Sequence, residues 1–263
     1  MKTYYNDEFF SKIINGFEMC EEVDAVALGG SRSTGESDTN SDYDIYVYCT
    51  KELSPEKKSE IVKPYCREAE ICNHYWELED NCILKNGIGL DIIYRSTEQF
   101  EKYLSFVVDG GKSFNGYTTC FWHNIINSEI LFDKSGNFTQ LQKKYDIAYP
   151  QQLKKNIIEN NRKLLSGVLP SYDKQIEKAY NRNDIVSVHH RTTEFLASYF
   201  DIIFALNELT HPGEKRLISL CKKHCKILPE SFEENITALL KSIGNENPCP
   251  IVKDMIEKLD KII

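Results

Sequence analysis

The stretch LGGSRSTGESDTNSDYDIYVY, residues 28–48, decides how this chain is read. An apolar run, Val23 to Leu28, leads into it and stops at Gly29-Gly30-Ser31. It closes on DIYVYC (44–49), which alternates and is rich in β-branched and aromatic residues. Both flanks read as strands, and the polar segment between them as their connection. On a strand, side chains at i and i+2 share a face, so Asp42 and Asp44 present two carboxylates side by side while Tyr43 and Ile45 turn away. Carboxylates that close repel, and a cation between them, or a proton on one, relieves the repulsion. Mg2+ suits the place, because it takes one or two carboxylates together with phosphate oxygens and water. Glycines closing the first strand let backbone N–H groups and the Ser31 hydroxyl approach a polyphosphate. Arg32 adds charge, and Ser41 is placed to bond a phosphate or to position Asp42. A Gly-Gly-Ser alone is an ordinary turn; followed by Ser-Asp-x-Asp entering an apolar strand, it points to phosphate chemistry.

Around this stretch the first half alternates helix and strand signals. Residues 6–20 carry apolar positions at helical spacing. Ser54-Pro55-Glu56 starts a helix, with Ser as cap and Pro at the first position. Another strand lies around GIGLDIIYR (87–95), and Ser96 with Gln99 resembles a capping box for a helix through Val108. EILFD (129–133) reads as a further short strand. From Pro150 to Ile263 the pattern predicts five or six helices and almost no strand, punctuated at sites such as His211-Pro212-Gly213 and Leu228-Pro229-Glu230. The longest, roughly 184–209, is apolar on more than one face, as a central bundle helix is. Two domains follow, 1–145 and 146–263.

Composition narrows the function. Hydrophobic content of 41% and charge of 27% are those of a soluble globular protein. No apolar run reaches about 18 residues, and MKTYYNDEFF lacks the apolar core of a signal peptide, so the expectation is a cytoplasmic protein with no membrane partner. The nine cysteines are odd in number and form no C-x-x-C, and Cys221, His224 and Cys225 supply only part of a zinc shell; reduced thiols are expected. A net charge of −8 argues against a general nucleic-acid binder. Residues 1–145 hold 15 Lys/Arg against 24 Asp/Glu, or −9, and the remainder 17 against 16, or +1. The acidity therefore sits with the opening motif, where it favours cations, either metals or an amine-bearing substrate.

The string GGSRSTG…SDYDIYVY resembles the nucleotidyltransferase superfamily, whose fold is the DNA polymerase β palm. The resemblance implies an α+β architecture, a mixed sheet with flanking helices followed by an all-α helical bundle. It maps Gly30 and Ser31 onto the family's glycine-serine step, and Asp42 and Asp44 onto the pair that binds two divalent ions. A third carboxylate on a neighbouring strand is Asp91, which lies mid-strand between Leu90 and Ile92; an aspartate amid apolar residues needs a partner, and a metal supplies one. Glu77, Glu79 and Asp80 are the alternatives, and Glu77 is also a candidate general base.

The helical half resembles the bundle of enzymes that adenylylate aminoglycosides and lincosamides, especially over FALNELTHPGEKRL (204–217). This implies Mg2+-dependent transfer of a nucleoside monophosphate, from ATP or another nucleoside triphosphate, to a hydroxyl of a small and possibly cationic acceptor. No basic tract suited to template DNA or tRNA is visible, so no nucleic-acid partner is expected. Lys215 follows a tight turn at a helix start, where a cation opposes the macrodipole, and is a candidate for the phosphates. His190 and Glu194, near the start of the long helix, are candidates to face the acceptor. Trp76 and Trp122 read as core, and Asp109-Gly110-Gly111-Lys112-Ser113 as a turn without phosphate-loop spacing. A protein-modifying transferase and a non-catalytic nucleotide-binding module are the alternative functions.

Overall fold

The computed structural model describes residues 7–30, 32, 41–75 and 77–263. The chain divides into two compact units, Met1–Tyr103 with Asn124–Ile147, and Leu104–His123 with Ala148–Ile263.

In the first unit, α1 (Glu8–Glu18) starts where the Asp7 carboxylate accepts from the amides of Phe9 and Phe10, both at 3.1 Å. It buries Phe10, Ile13 and Phe17, one helical face. β1 (Val23–Leu28) and β2 (Tyr43–Cys49) form an antiparallel pair. α2 (Pro55–Val62) begins at Ser54, whose hydroxyl accepts from the Lys57 amide at 3.3 Å, with Pro55 at the first position. Then follow β3 (Cys66–Asn73), β4 (Glu79–Leu84), β5 (Gly89–Ser96), α3 (Thr97–Leu104), α4 (Cys120–Asn127), β6 (Glu129–Asp133) and α5 (Asn137–Tyr145). Strand order is β3-β4-β5-β2-β1-β6, with β2 and β5 parallel and every other pair antiparallel.

Side-chain alternation splits this sheet into a dry face and a chemical one. On the dry face Tyr43, Ile45, Val47, Leu90, Ile92 and Leu84 join Phe10, Ile13 and Phe17 in one core. The Phe10 and Tyr43 rings stack at 4.1 Å, so burial of Tyr43 turns Asp42 and Asp44 to the opposite face. On that face Tyr48 packs against Phe100 and Phe138, at 5.7 and 4.4 Å between ring centres.

Two differences from the sequence reading have physical causes. β3 and β4 carry little strand signal of their own, because CREAEICN and EDNCIL are mostly polar residues, Ala and Cys, with one β-branched Ile each and a single Leu at the end of the second. The helix after Ser96 ends at Leu104, not Val108. Residues Ser105–Asp109 widen into a π-helical turn, closed by the Gly110 amide on the Ser105 carbonyl at 2.8 Å.

The second unit contains α6 (Gln151–Leu165), α7 (Tyr172–Tyr180), α8 (Ile185–Leu206), α9 (Leu217–His224), α10 (Phe232–Ser242) and α11 (Cys249–Asp260). α8 is buried nearly all round from Phe195 to Ala205 and centres a core of Phe195, Tyr199, Phe204, Ile236, Met255 and Leu259. Asp201, buried in the middle of α8, accepts from the Thr118 amide at 3.0 Å, the Thr118 hydroxyl at 2.6 Å and Asn161 Nδ2 at 3.2 Å. These bonds tie the Leu104–His123 segment to the bundle. Burial still pushes the carboxyl up, to about 7. Nearby His123 and His211 are driven the other way by burial, to about 4 and about 3, so both are neutral. Among the described residues no helix is long and apolar enough to cross a membrane.

Candidate active site

The parallel register of β2 and β5 sets Asp44 directly beside Asp91 and Tyr43 beside Leu90, which puts Asp42 next to Gly89. Asp44 and Asp91 therefore stand on one face of two adjacent strands, and Asp42, the residue just before β2, lies against Gly89 on the same face. Close approach is enforced by glycines. Gly29 lies against the Tyr46 ring, where a Cβ would come within 2.3 Å. Gly30 has φ +62, the left-handed region, and a Cβ there would lie 1.9 Å from Asp44 Oδ2. The glycine pair thus makes room for an aromatic ring and for a carboxylate. Gly89, which the sequence reading passed over, does the same for Asp42, since a Cβ would sit 2.3 Å from Asp42 Oδ1. Its sequence signal is an isolated glycine at the mouth of a strand.

Arg32 reaches back across the connection. Its Nε donates to the carbonyls of Ser41 at 2.9 Å and Asp42 at 3.1 Å, Nη2 also reaches the Ser41 carbonyl, and the guanidinium lies 4.1 Å from the Tyr43 ring centre. In this arrangement Arg32 fixes the backbone that carries Asp42. Ser31, named from sequence for the phosphates, lies outside the described residues, as does Trp76.

On the other side of Asp91, β4 places Asn81 directly opposite it, and Asn81 Nδ2 donates to Asp91 Oδ1 at 2.9 Å. Glu79 follows on the same face and is buried; burial first, then the negative charges of Asp91 and Glu77, raise its carboxyl. Glu77 is held by Arg95, with Nε donating to Oε2 at 3.0 Å and Nη2 to Oε1 at 2.7 Å. Arg95, itself 9% exposed, also donates to Asn124 Oδ1 at 2.9 Å and stacks over the Tyr46 and Phe100 rings. Both Glu77 oxygens are thus committed to a fork-shaped, charge-assisted pair. Asp80 points to the dry side and accepts from the Tyr94 hydroxyl at 2.6 Å and the Cys72 amide at 2.7 Å.

The remaining sequence candidates belong to the second unit. Lys215 is exposed in the turn before α9, and His190 is exposed on α8. Glu194 on α8 is half-buried, and its charge adds to burial in raising the Tyr172 and Tyr117 phenols.

Among the described residues no group of three His, Cys, Asp or Glu side chains converges closely enough to enclose a metal by itself. The donor set nonetheless fits Mg2+. Hard carboxylate oxygens are its preferred ligands, one or two suffice when phosphate and water complete the octahedron, and two glycines keep the space against Asp42 and Asp44 clear of side chains.

The family described as polymerase beta, nucleotidyltransferase, matches residues 11–104, which include Asp42, Asp44 and Asp91. A domain of unknown function, DUF4037, matches residues 120–217. None of the curated proteins matches significantly. Among solved structures, a nucleotidyltransferase-like protein from Exiguobacterium sibiricum is 10% identical with TM-score 0.44, over 98% of this chain and 74% of that one. Spectinomycin adenyltransferase AAD(9) from Enterococcus faecialis, solved with ATP and spectinomycin, is 13% identical with TM-score 0.33, over 98% and 99%. The Thermotoga maritima CCA-adding enzyme, solved with tRNA, is 13% identical with TM-score 0.30, over 99% and 82%. Likeness at that level leaves the acceptor to be argued from this chain's own residues. The segment 11–104, which carries Asp42, Asp44 and Asp91, is thus similar to the polymerase β-type nucleotidyltransferase family.

Proposed function

We propose that this chain transfers a nucleoside monophosphate from ATP, or another nucleoside triphosphate, to a hydroxyl of a small hydroxylated molecule and releases pyrophosphate. The observation that carries the reading is the register of Asp44 beside Asp91, with Asp42 against Gly89 on the same face.

In-line attack on the α-phosphate requires that the triphosphate be held, the developing charge be offset and the acceptor hydroxyl lose its proton. Asp42, Asp44 and Asp91 are the residues that would hold Mg2+, which when bound offsets negative charge on the phosphoryl oxygens. Gly30, exposed and in the left-handed conformation, is the glycine of the glycine-serine step that would meet the phosphates. Arg32 keeps the Asp42 backbone in place through the Ser41 and Asp42 carbonyls. Asp91 is the better proton acceptor than Glu77, whose oxygens are both bonded to Arg95. An amine-bearing acceptor of the aminoglycoside or lincosamide kind matches the −9 charge of residues 1–145.

The test is incubation with Mg2+, each labelled nucleoside triphosphate and a panel of aminoglycosides, lincosamides and tRNA. Pyrophosphate release together with a mass-shifted small molecule supports the reading. Labelling of tRNA alone, or tight nucleotide binding with no transfer to any acceptor, sinks it.

A further inference from the structure

The face that carries the carboxylates continues onto β4 and β3, where two asparagines are aligned behind Asp91. Antiparallel pairing sets Asn81 opposite Asp91, and their side chains meet at 2.9 Å. A carboxylate only accepts, so Asn81 must present its NH2 to Asp91 and its carbonyl to the other side. That carbonyl is occupied: Asn73 Nδ2 donates to Asn81 Oδ1 at 2.7 Å. Asn73 in turn is steadied by Glu70, whose Oε2 accepts from the same Nδ2 at 3.2 Å.

Asn73 reaches this position through a bulge. Glu70 pairs with Asn81 and Asn73 with Glu79, so β3 spends three steps where β4 spends two, and the register shifts between them. Within the shift Cys72 takes φ +65, uncommon for a residue with a side chain, and its amide leaves the ladder to bond Asp80 Oδ1 at 2.7 Å. Without the extra residue, position 73 would point to the opposite face. The bulge therefore returns Asn73 to the face of Asn81 and Asp91.

We infer that Asn73 and Asn81 form a positioning relay that fixes the orientation of the Asp91 carboxylate, committing Oδ1 to Asn81 and leaving Oδ2 for the cation or the acceptor proton. The inference rests on the reading of Asp91 as the third carboxylate. A neutral amide suits the task, because it orients the carboxylate without cancelling the charge that a cation needs. Partners of this kind behind a metal-binding carboxylate typically contribute about 10- to 100-fold in metal affinity.

The experiment is Mn2+ binding followed by electron paramagnetic resonance, in the presence of ATP, on the full chain and on Asn81→Ala, Asn73→Ala, the double variant, Asp42→Asn and Asp91→Asn. Thermal unfolding of each variant checks the fold, and the half-buried Asn73 on the edge strand keeps the test open if Asn81→Ala unfolds. The expected result is that Asp91→Asn and Asn81→Ala weaken the same ion, Asn81→Ala by about 10- to 100-fold. Asn73→Ala should weaken it less, and the double variant should bind no worse than Asn81→Ala, because the outer amide acts only through the inner one. If Asp91→Asn weakens an ion while Asn81→Ala and Asn73→Ala bind within about twofold of the parent, the relay is refuted and the functional reading stands. Binding that ignores Asp42→Asn and Asp91→Asn alike refutes both.

Discussion

Gly89→Ala separates the fold from the chemistry at a single methyl group. The added Cβ would lie 2.3 Å from Asp42 Oδ1, 2.7 Å from Cγ and 3.3 Å from Cβ, where real contacts stop near 3.0 Å. Oδ1 must therefore retreat by about 0.7 Å, and Cγ by about 0.3 Å. Asp42 is exposed, and the atoms in the way are the far end of its side chain, so the retreat takes place by rotation rather than by moving strands. Replacing a strand glycine also removes an entropic penalty of about 0.5–1 kcal/mol. Stability should consequently stay within about 1 kcal/mol of the parent, read as the midpoint and slope of urea unfolding. Activity should not survive as well. A misplacement approaching 1 Å in a catalytic group costs on the order of 100-fold, or about 2.7 kcal/mol of barrier. Pyrophosphate release at saturating nucleotide is the assay. Wild-type turnover in a stably folded Gly89→Ala would show that the Asp42 carboxylate does not work from the position seen here. A stability loss beyond about 3 kcal/mol would show instead that the backbone absorbs the clash.

Three further outcomes follow from the same geometry. Asp42→Asn should abolish pyrophosphate release while leaving the unfolding midpoint unchanged, because its side chain is exposed. Glu77→Gln should destabilise by about 3 kcal/mol in urea, since it leaves Arg95 buried beside a neutral amide; if transfer persists in the folded fraction while Asp91→Asn has none, the proton goes to Asp91. In the second unit, Asp201 has a folded value of about 7 against 3.8, so its contribution is fully present below pH 3.8 and is lost as pH rises through 7, on the order of 4 kcal/mol. His123 and His211 work oppositely: their folded values of about 4 and 3 mean stability that is present above pH 6.5 and lost as pH falls. Asp201→Asn should remove only the first slope, leaving stability that rises monotonically from pH 4 to 7; an unchanged profile would show that Asp201 does not titrate there.

Much of this fold is local in origin and was legible for that reason. Period-two alternation marks β2 and the Asp42–Asp44 pair, apolar spacing marks α1, Ser54 with Pro55 marks a second helix start, and the pattern after Pro150 predicts five or six helices where six are found. β3 was not legible, because an edge strand with the sequence CREAEICN draws its order from pairing with β4, which no window of β3 contains. The same limit applies to the site. Asp91 could be named from its apolar neighbours, but its alignment with Asp44 depends on parallel pairing across more than 40 residues of chain. Gly89, Asn81 and Asn73 make sense only once that register is known. Glu77 shows the converse case: as a glutamate in an acidic stretch (Glu77, Glu79, Asp80) it looks available in sequence, yet an arginine 18 positions later takes both its oxygens.

That pairing bears on how the first unit uses its excess of acid. Arg95 gives its guanidinium to Glu77 and Asn124, and Arg32 gives its own to the Ser41 and Asp42 carbonyls just before β2. Lys58, 1% exposed, sits on the dry side, 3.9 Å from the Tyr94 ring centre and within 3.7 Å of the Cys72 sulfur. These three cations thus stabilise the scaffold, while the group that meets Asp91 from β4 is an uncharged amide. An arginine at position 81 would bring a full positive charge and a bidentate fork to Asp91, which an amide does not. It would also cancel the negative charge of this face. Orientation by asparagine leaves that charge in place, which is the arrangement expected where the positive charge arrives with the nucleotide.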